Sequence, residues 1–135
     1  MENGKNNNLN DLFILGQKNH QKNNFTEAFK IYEKILNIDP NHFEAIVFLG
    51  ILNAQTKKLE SARELLETAI KFKPEIPDLY NNLKLIHREM GNFEQSLSSF
   101  KKAIKINPKF SIAYNNLGIT YKDLDNFAEA EKNLH

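Results

Sequence analysis

Apolar residues recur every three or four positions along this chain, and that pattern itself repeats with a longer period. In the stretch 43–76, Ile46, Leu49, Leu52 and Asn53 fall on one side of a first helix, and Leu59, Ala62, Leu66, Ala69 and Ile70 on one side of a second. No segment alternates with the two-residue period of a strand, so the spacing predicts an all-α chain of helix–turn–helix hairpins. One unit is written several times. Pro40, Pro74 and Pro108 stand 34 residues apart (74 − 40 and 108 − 74). The same step joins Gly16 to Gly50, reaches Gly118 two steps later, and runs through Leu15, Leu49, Leu83 and Leu117. It relates Ala28, Ala62, Ser96 and Ala130, and also the bulky set Phe25, Leu59, Phe93 and Phe127. Ladders in phase divide the chain into an Asn-rich leader at 1–8, expected to be disordered, units at 9–42, 43–76 and 77–110, and a shortened fourth at 111–135.

Local punctuation agrees with this division. Asn24, Asn92 and Asn126 each precede a Phe that opens a second helix, where a side-chain oxygen is expected to cap free backbone N–H groups. Glu27 and Glu129 stand where a capping box asks for them. The prolines close the second helices, because the residue before proline disfavours helical geometry. The small pairs Gly16 and Ala28, Gly50 and Ala62, and Gly118 and Ala130 mark where antiparallel helices approach most closely. The third unit has Lys84 and Ser96 at those places. Lys84 is expected to run its stem over apolar surface with the ammonium in water, at a looser or re-angled crossing.

These residues resemble the tetratricopeptide repeat. Its 34-residue unit carries a large or aromatic residue, Leu-Gly, an aromatic, Ala, an aromatic, Ala and Pro in that order, the period visible here. The fourth unit matches with Tyr114, Leu117-Gly118, Tyr121 and Ala130. The second matches with Leu49-Gly50, Ala62, Ala69 and Pro74, and the third with Tyr80, Leu83, Phe100, Ala103 and Pro108. The first has Leu12, Leu15-Gly16, Ala28, Tyr32 and Pro40, with Asn19 where an aromatic is usual. The resemblance implies a right-handed superhelical solenoid of antiparallel helix pairs, about three and a half repeats long. It says little about function by itself.

The resemblance also implies that the first helices of successive hairpins line a concave wall that meets a ligand. Outward-facing positions there are Asn10, Phe13, Ile14, Gln17 and Gln21, then Glu44, Val47, Phe48, Ile51 and Gln55. The later hairpins contribute Asp78, Asn81, Asn82, Leu85 and Glu89, followed by Ile112, Asn115, Asn116, Ile119 and Lys122. The groove expected to bind a partner is thus apolar at its start, around Phe13, Ile14, Val47, Phe48 and Ile51 beside Gln17. Its far end pairs Asn81-Asn82 and Asn115-Asn116 with Leu85 and Ile119. An apolar patch suits one face of an amphipathic helix, and Asn carboxamides suit an extended backbone. The Asn pairs resemble those in the repeat arrays of O-GlcNAc transferases. Chaperone-binding members hold an acidic carboxy terminus with Lys, Asn and Arg, whereas this chain has Phe13, Gln17, Phe48, Asp78 and Asn82 at those places. Acidic chaperone tails are therefore not the expected ligand.

Charge and composition narrow the picture further. Eighteen basic residues against seventeen acidic ones give no field for collecting phosphates, so nucleic acid is not an expected partner. The absence of cysteine excludes disulfides and thiolate metal sites. His20, His42, His87 and His135 show no metal-ligand spacing, and no catalytic or phosphate-binding motif occurs. His87 is expected inside and His42 exposed. Neither cofactor, metal nor catalytic residue is expected. A polar amino terminus and the lack of a long apolar run argue for a cytoplasmic protein without membrane contact. The chain stops inside the fourth hairpin, which predicts either a longer protein or self-association through the carboxy-terminal hairpin. The expected function is a non-catalytic protein–protein interaction scaffold; the alternative is the substrate-recruiting front of a glycosyltransferase or sulfotransferase.

Overall fold

The computed structural model describes residues 2–109, with side chains from Asn8 onward. Over this range the chain forms α1 (Glu2–Gln21), α2 (Phe25–Ile38), α3 (Phe43–Gln55), α4 (Leu59–Phe72), α5 (Pro77–Glu89) and α6 (Phe93–Ile106). No strand occurs among the described residues. The 34-residue step survives to the residue: α2, α4 and α6 begin at 25, 59 and 93 and end at 38, 72 and 106. Two compact units result, Met1–Ala69 and Ile70–His135. α1 begins at Glu2, inside the leader that was expected to be disordered. Helix propagation adds one hydrogen bond per residue once a nucleus exists, and buried Leu9 fixes that nucleus.

Each first helix turns into its second through the same backbone device. Asn23, Lys57 and Gly91 have φ of 63°, 67° and 81°, again 34 residues apart. Around each, the following N–H reaches back five residues, Asn24 to the Asn19 carbonyl (2.8 Å), Lys58 to Asn53 (2.7 Å) and Asn92 to His87 (2.8 Å). The N–H of the left-handed residue itself reaches back three. This is the Schellman arrangement, which favours glycine at the left-handed position. Lysine at 57 carries the steric penalty that Gly91 avoids, so Lys57→Gly is expected to raise stability by about 1 kcal/mol. Urea unfolding followed by circular dichroism reads this directly.

The expected Asn caps are not formed. Asn24 and Asn92 sit at φ −81°, ψ 68° and φ −88°, ψ 70°, and neither side chain caps its helix. The tight turn sets this ψ, and the Asn24 and Asn92 carbonyls accept the first intrahelical bonds, from the N–H groups of Ala28 (3.0 Å) and Ser96 (2.9 Å). The Asn24 amide donates to Asn19 Oδ1 at 3.3 Å. Asn126 lies outside the described residues. His42, expected to be exposed, is the N-cap of α3: its Nδ1 accepts from the Ala45 N–H at 3.1 Å. Asp39 and Asn107 open the turns between hairpins as Asx-turns, each accepting at Oδ1 from the N–H two residues on, at 3.1 Å.

In the first unit, Ala28, Tyr32, Leu49 and Leu52 form a core joined by Phe13, Phe25, Phe29, Leu36, Phe48 and Leu65. Leu9, Ile31, Ile35 and Ala45 form a second. Leu49 packs on the preceding hairpin, whereas Leu15 stands in the first hairpin and remains 49% exposed. The glycines do admit a close approach, but not against the alanines paired with them in the sequence: Gly16 faces Tyr32 and Ile31, Gly50 faces Leu65 and Leu66, and Gly118 and Ala130 lie outside the described residues. A Cβ on Gly16 would lie 2.7 Å from Tyr32 Cε1, and one on Gly50 3.2 Å from a Leu66 methyl. Alanine gains about 1 kcal/mol over glycine within a helix. Gly50→Ala is therefore expected to be near neutral, while Gly16→Ala should lose about 1–2 kcal/mol because overpacking there outweighs that gain. Comparing the two urea midpoints tests the contrast.

In the second unit, Tyr80 and Ala103 pack with Ile70, Ile104 and Ile106, and the Tyr80 hydroxyl donates to the Pro74 carbonyl at 2.8 Å. Burial, aided by Glu75, pushes its phenol above the ordinary range. His87 is buried, as its position predicts. Lys84 differs from expectation: it is fully buried, with Nζ 4.2 Å from the Phe100 ring centroid. The helix pair encloses its stem so completely that the ammonium ends on an aromatic face rather than in water. Ser96 Oγ donates to the Lys84 carbonyl at 3.0 Å.

Candidate functional site

The inner wall of the first unit is built from α1 and α3. Gln17, His20 and Gln21 lie within one turn of α1, and Phe48, Ile51 and Gln55 follow the three-and-four spacing of one α3 face. Together with Asn23 from the left-handed turn they line a cavity of about 350 Å³. Five of the outward-facing positions read from the sequence, Gln17, Gln21, Phe48, Ile51 and Gln55, thus come together. Phe13 stands behind the wall, its ring 5.2 Å from Phe48 and edge-on at 67°. It also touches Tyr32 and His42. Ile14 is 48% exposed on α1 but does not line the cavity, and Val47 is buried at 9% exposure. Val47 lies one residue off the open face of α3 and faces the core instead.

His20 is the residue that sequence reasoning passed over. Its Nδ1 lies 3.1 Å from the Tyr32 hydroxyl, and its Nε2 lies 2.5 Å from Gln55 Oε1. The ring also stands edge-on to Phe25 (5.8 Å), Tyr32 (5.9 Å) and Phe48 (6.4 Å). A search for histidines at metal spacing has no reason to stop at it, because its partners come from α2 and α3. Its one sequence signal is its place a single turn beyond Gln17. Tyr32 is fully buried, and burial pushes its phenol up to about 12. A hydroxyl held in its neutral form is thereby linked to the polar rim of the cavity.

The second unit presents Asn81 and Asn82 half-buried on α5, with Leu85 exposed one turn later. Asn115, Asn116 and Ile119, with the carboxy-terminal hairpin expected to self-associate, lie outside the described residues. Among the described residues no cluster of three or more His, Asp or Glu is placed to hold a metal, and no helix is long and apolar enough to cross a membrane.

The sequence finds no match among characterised proteins. Two family models do match it, one described as a tetratricopeptide repeat over residues 20–84 and one as a TPR repeat over 85–125. Among solved structures, a crystal structure of MamA is 27% identical with a TM-score of 0.82, covering 96% of this chain and 76% of that one. The first TPR of Spaghetti (RPAP3), solved with an HSP90 peptide, is 17% identical with a TM-score of 0.81, over 87% of this chain and 93% of that one. An O-GlcNAc transferase mutant from Thermobaculum terrenum is 20% identical with a TM-score of 0.78, over 83% of this chain but 22% of that one. The latter two likenesses show the fold alone. With repeated helix boundaries, a glycine-closed hairpin and family models running from residue 20 to 125, the chain belongs to the tetratricopeptide repeat family of all-α solenoids built from helix pairs.

Proposed function

We propose that this chain is a cytoplasmic, non-catalytic scaffold that takes a peptide or helix of another protein on the wall formed by its first helices. The cavity between α1 and α3 carries the reading: a concave site with an apolar floor at Phe48 and Ile51 and a rim of carboxamides. Concave, largely preformed sites with a few placed polar groups are where ligands are held. No paired acid and base or activated nucleophile accompanies the cavity residues, so binding without covalent change suits them best. Exposed Ile14 adds apolar surface on α1, and the Phe13 ring backs Phe48. Asn81, Asn82 and Leu85 on α5, and Asn115, Asn116 and Ile119, are further proposed contacts with a partner. The enzyme-recruiting alternative has only a fold-level likeness in its favour.

Affinity capture by the whole chain, followed by cross-link mapping, tests the reading. A partner is expected to cross-link to α1 and α3. Ile51→Glu should weaken its capture about tenfold or more, the size of one lost apolar anchor, while thermal melting stays close to the parent. A partner that cross-links only to the second helices, or capture indifferent to Ile51→Glu, overturns the assignment.

A further inference from the structure

We propose that the α1–α3 cavity selects an uncharged, extended peptide segment, seating one bulky apolar side chain on Phe48 and Ile51 and one backbone carbonyl on the Gln55 carboxamide, with His20 as the residue that positions Gln55 as a donor. The inference rests on the scaffold reading and specifies the partner's chemistry. The hydrogen-bond directions follow from the groups themselves. Gln55 Oε1 can only accept, so His20 Nε2, 2.5 Å away, carries the hydrogen. In the neutral ring Nδ1 is then bare and accepts from the Tyr32 O–H at 3.1 Å. Tyr32 is fully buried and its phenol is pushed up to about 12, so the hydroxyl keeps the proton it donates. The chain of bonds runs one way, from Tyr32 through His20 to Gln55.

With its oxygen engaged by His20, the Gln55 carboxamide keeps its NH₂ group for a ligand. That group offers donors and no acceptor, which matches a carbonyl oxygen. The rest of the lining enforces neutrality. None of the described residues lining the cavity is Asp, Glu, Lys or Arg, so a charged ligand group would leave water without meeting a counter-charge among them. The volume of about 350 Å³ lies near the lower end for ligand pockets, enough for one large side chain with its flanking peptide groups.

NMR titration of the full chain with three capped amino acids tests the proposal: N-acetyl-phenylalanine amide, N-acetyl-phenylalanine as the free acid, and N-acetyl-lysine amide. The neutral amide is expected to shift the Phe48, Ile51 and Gln55 side-chain resonances saturably, binding about fivefold or more tighter than either charged probe, the ratio of one net hydrogen bond. Gln55→Glu should invert the order in favour of the lysine amide. His20→Phe keeps the ring packing but releases Gln55; it should weaken the phenylalanine amide about fivefold and leave toluene binding unchanged. A purely structural His20 would weaken both probes alike. Equal affinity for the three capped amino acids, no saturable shift at the cavity, or parallel loss of toluene and amide overturns the proposal. If these probes fail while a protein partner still cross-links to α1 and α3, the peptide chemistry is wrong and the scaffold stands. If cross-linking to those helices is absent as well, the scaffold reading falls with it.

Discussion

Tyr32→Ala is expected to destabilise the first unit by about 3–5 kcal/mol, the range for truncating a large buried aromatic side chain. Tyr32 has no exposed surface and belongs to the core with Ala28, Leu49 and Leu52. It also fills the space left by Gly16, whose missing Cβ would stand 2.7 Å from its ring. The void therefore opens at the closest approach of α1 and α2, where helix backbones cannot easily collapse inward. Urea unfolding followed by circular dichroism measures the loss, and a value under about 2 kcal/mol would show that the site relaxes far better than cores usually do.

Tyr32→Phe separates the ring from its hydroxyl. It keeps the packing but removes the partner of His20 Nδ1, for an expected cost of about 1–2 kcal/mol at neutral pH. The same variant carries a pH signature. The native phenol is pushed up to about 12, above its unfolded value of 10.0. The native state thus holds its proton longer than the unfolded chain. Its contribution is complete below pH 10 and is lost as pH climbs from about 10 to 12, amounting to about 2–3 kcal/mol at one pKa unit per 1.36 kcal/mol. Stability of the parent should fall over that window, and Tyr32→Phe should flatten the fall. Tyr80, shifted in the same direction, leaves a smaller alkaline slope behind.

Much of this was legible because repeats convert weak local signals into strong ones. A single Gly or Pro says little, but Gly16 with Gly50, and Pro40 with Pro74 and Pro108, fix both the hairpin contact and the unit length. The left-handed turn escaped notice although it keeps the same step. Asn23, Lys57 and Gly91 share a backbone conformation and no side-chain chemistry, and lysine gives no hint of it. The Asn caps failed for a related reason: the turn that Asn24 and Asn92 complete dictates their ψ. At the cavity, Gln17, Phe48 and Ile51 follow from helical spacing. His20 does not, because its role comes from Tyr32 and Gln55, twelve and thirty-five residues away. Val47 shows the limit of counting positions on a wheel, since a shift of one residue moves a side chain from the open wall to the core.

Phe100→Ala is the other large loss expected, about 3–5 kcal/mol from cavity formation, and its cause is more than volume. Phe100 is fully buried and its face receives Lys84 Nζ at 4.2 Å. A desolvated cation on an aromatic face gains about 2 kcal/mol, whereas burying the ammonium in the first place costs more than burying a thioether of similar reach. Lys84→Met keeps an apolar stem of similar reach beside the ring and removes the charge. A methionine sulfur against the same ring recovers part of the contact, about 0.3–1.5 kcal/mol. Phe100→Ala should therefore cost about 1 kcal/mol less in the Lys84→Met background than in the parent, the difference between these two ring contacts. A double-mutant cycle in urea reads that coupling. Additive losses would reduce the ring to a space-filler, and a destabilised Lys84→Met would show that the ammonium, rather than its stem, holds α5 against α6.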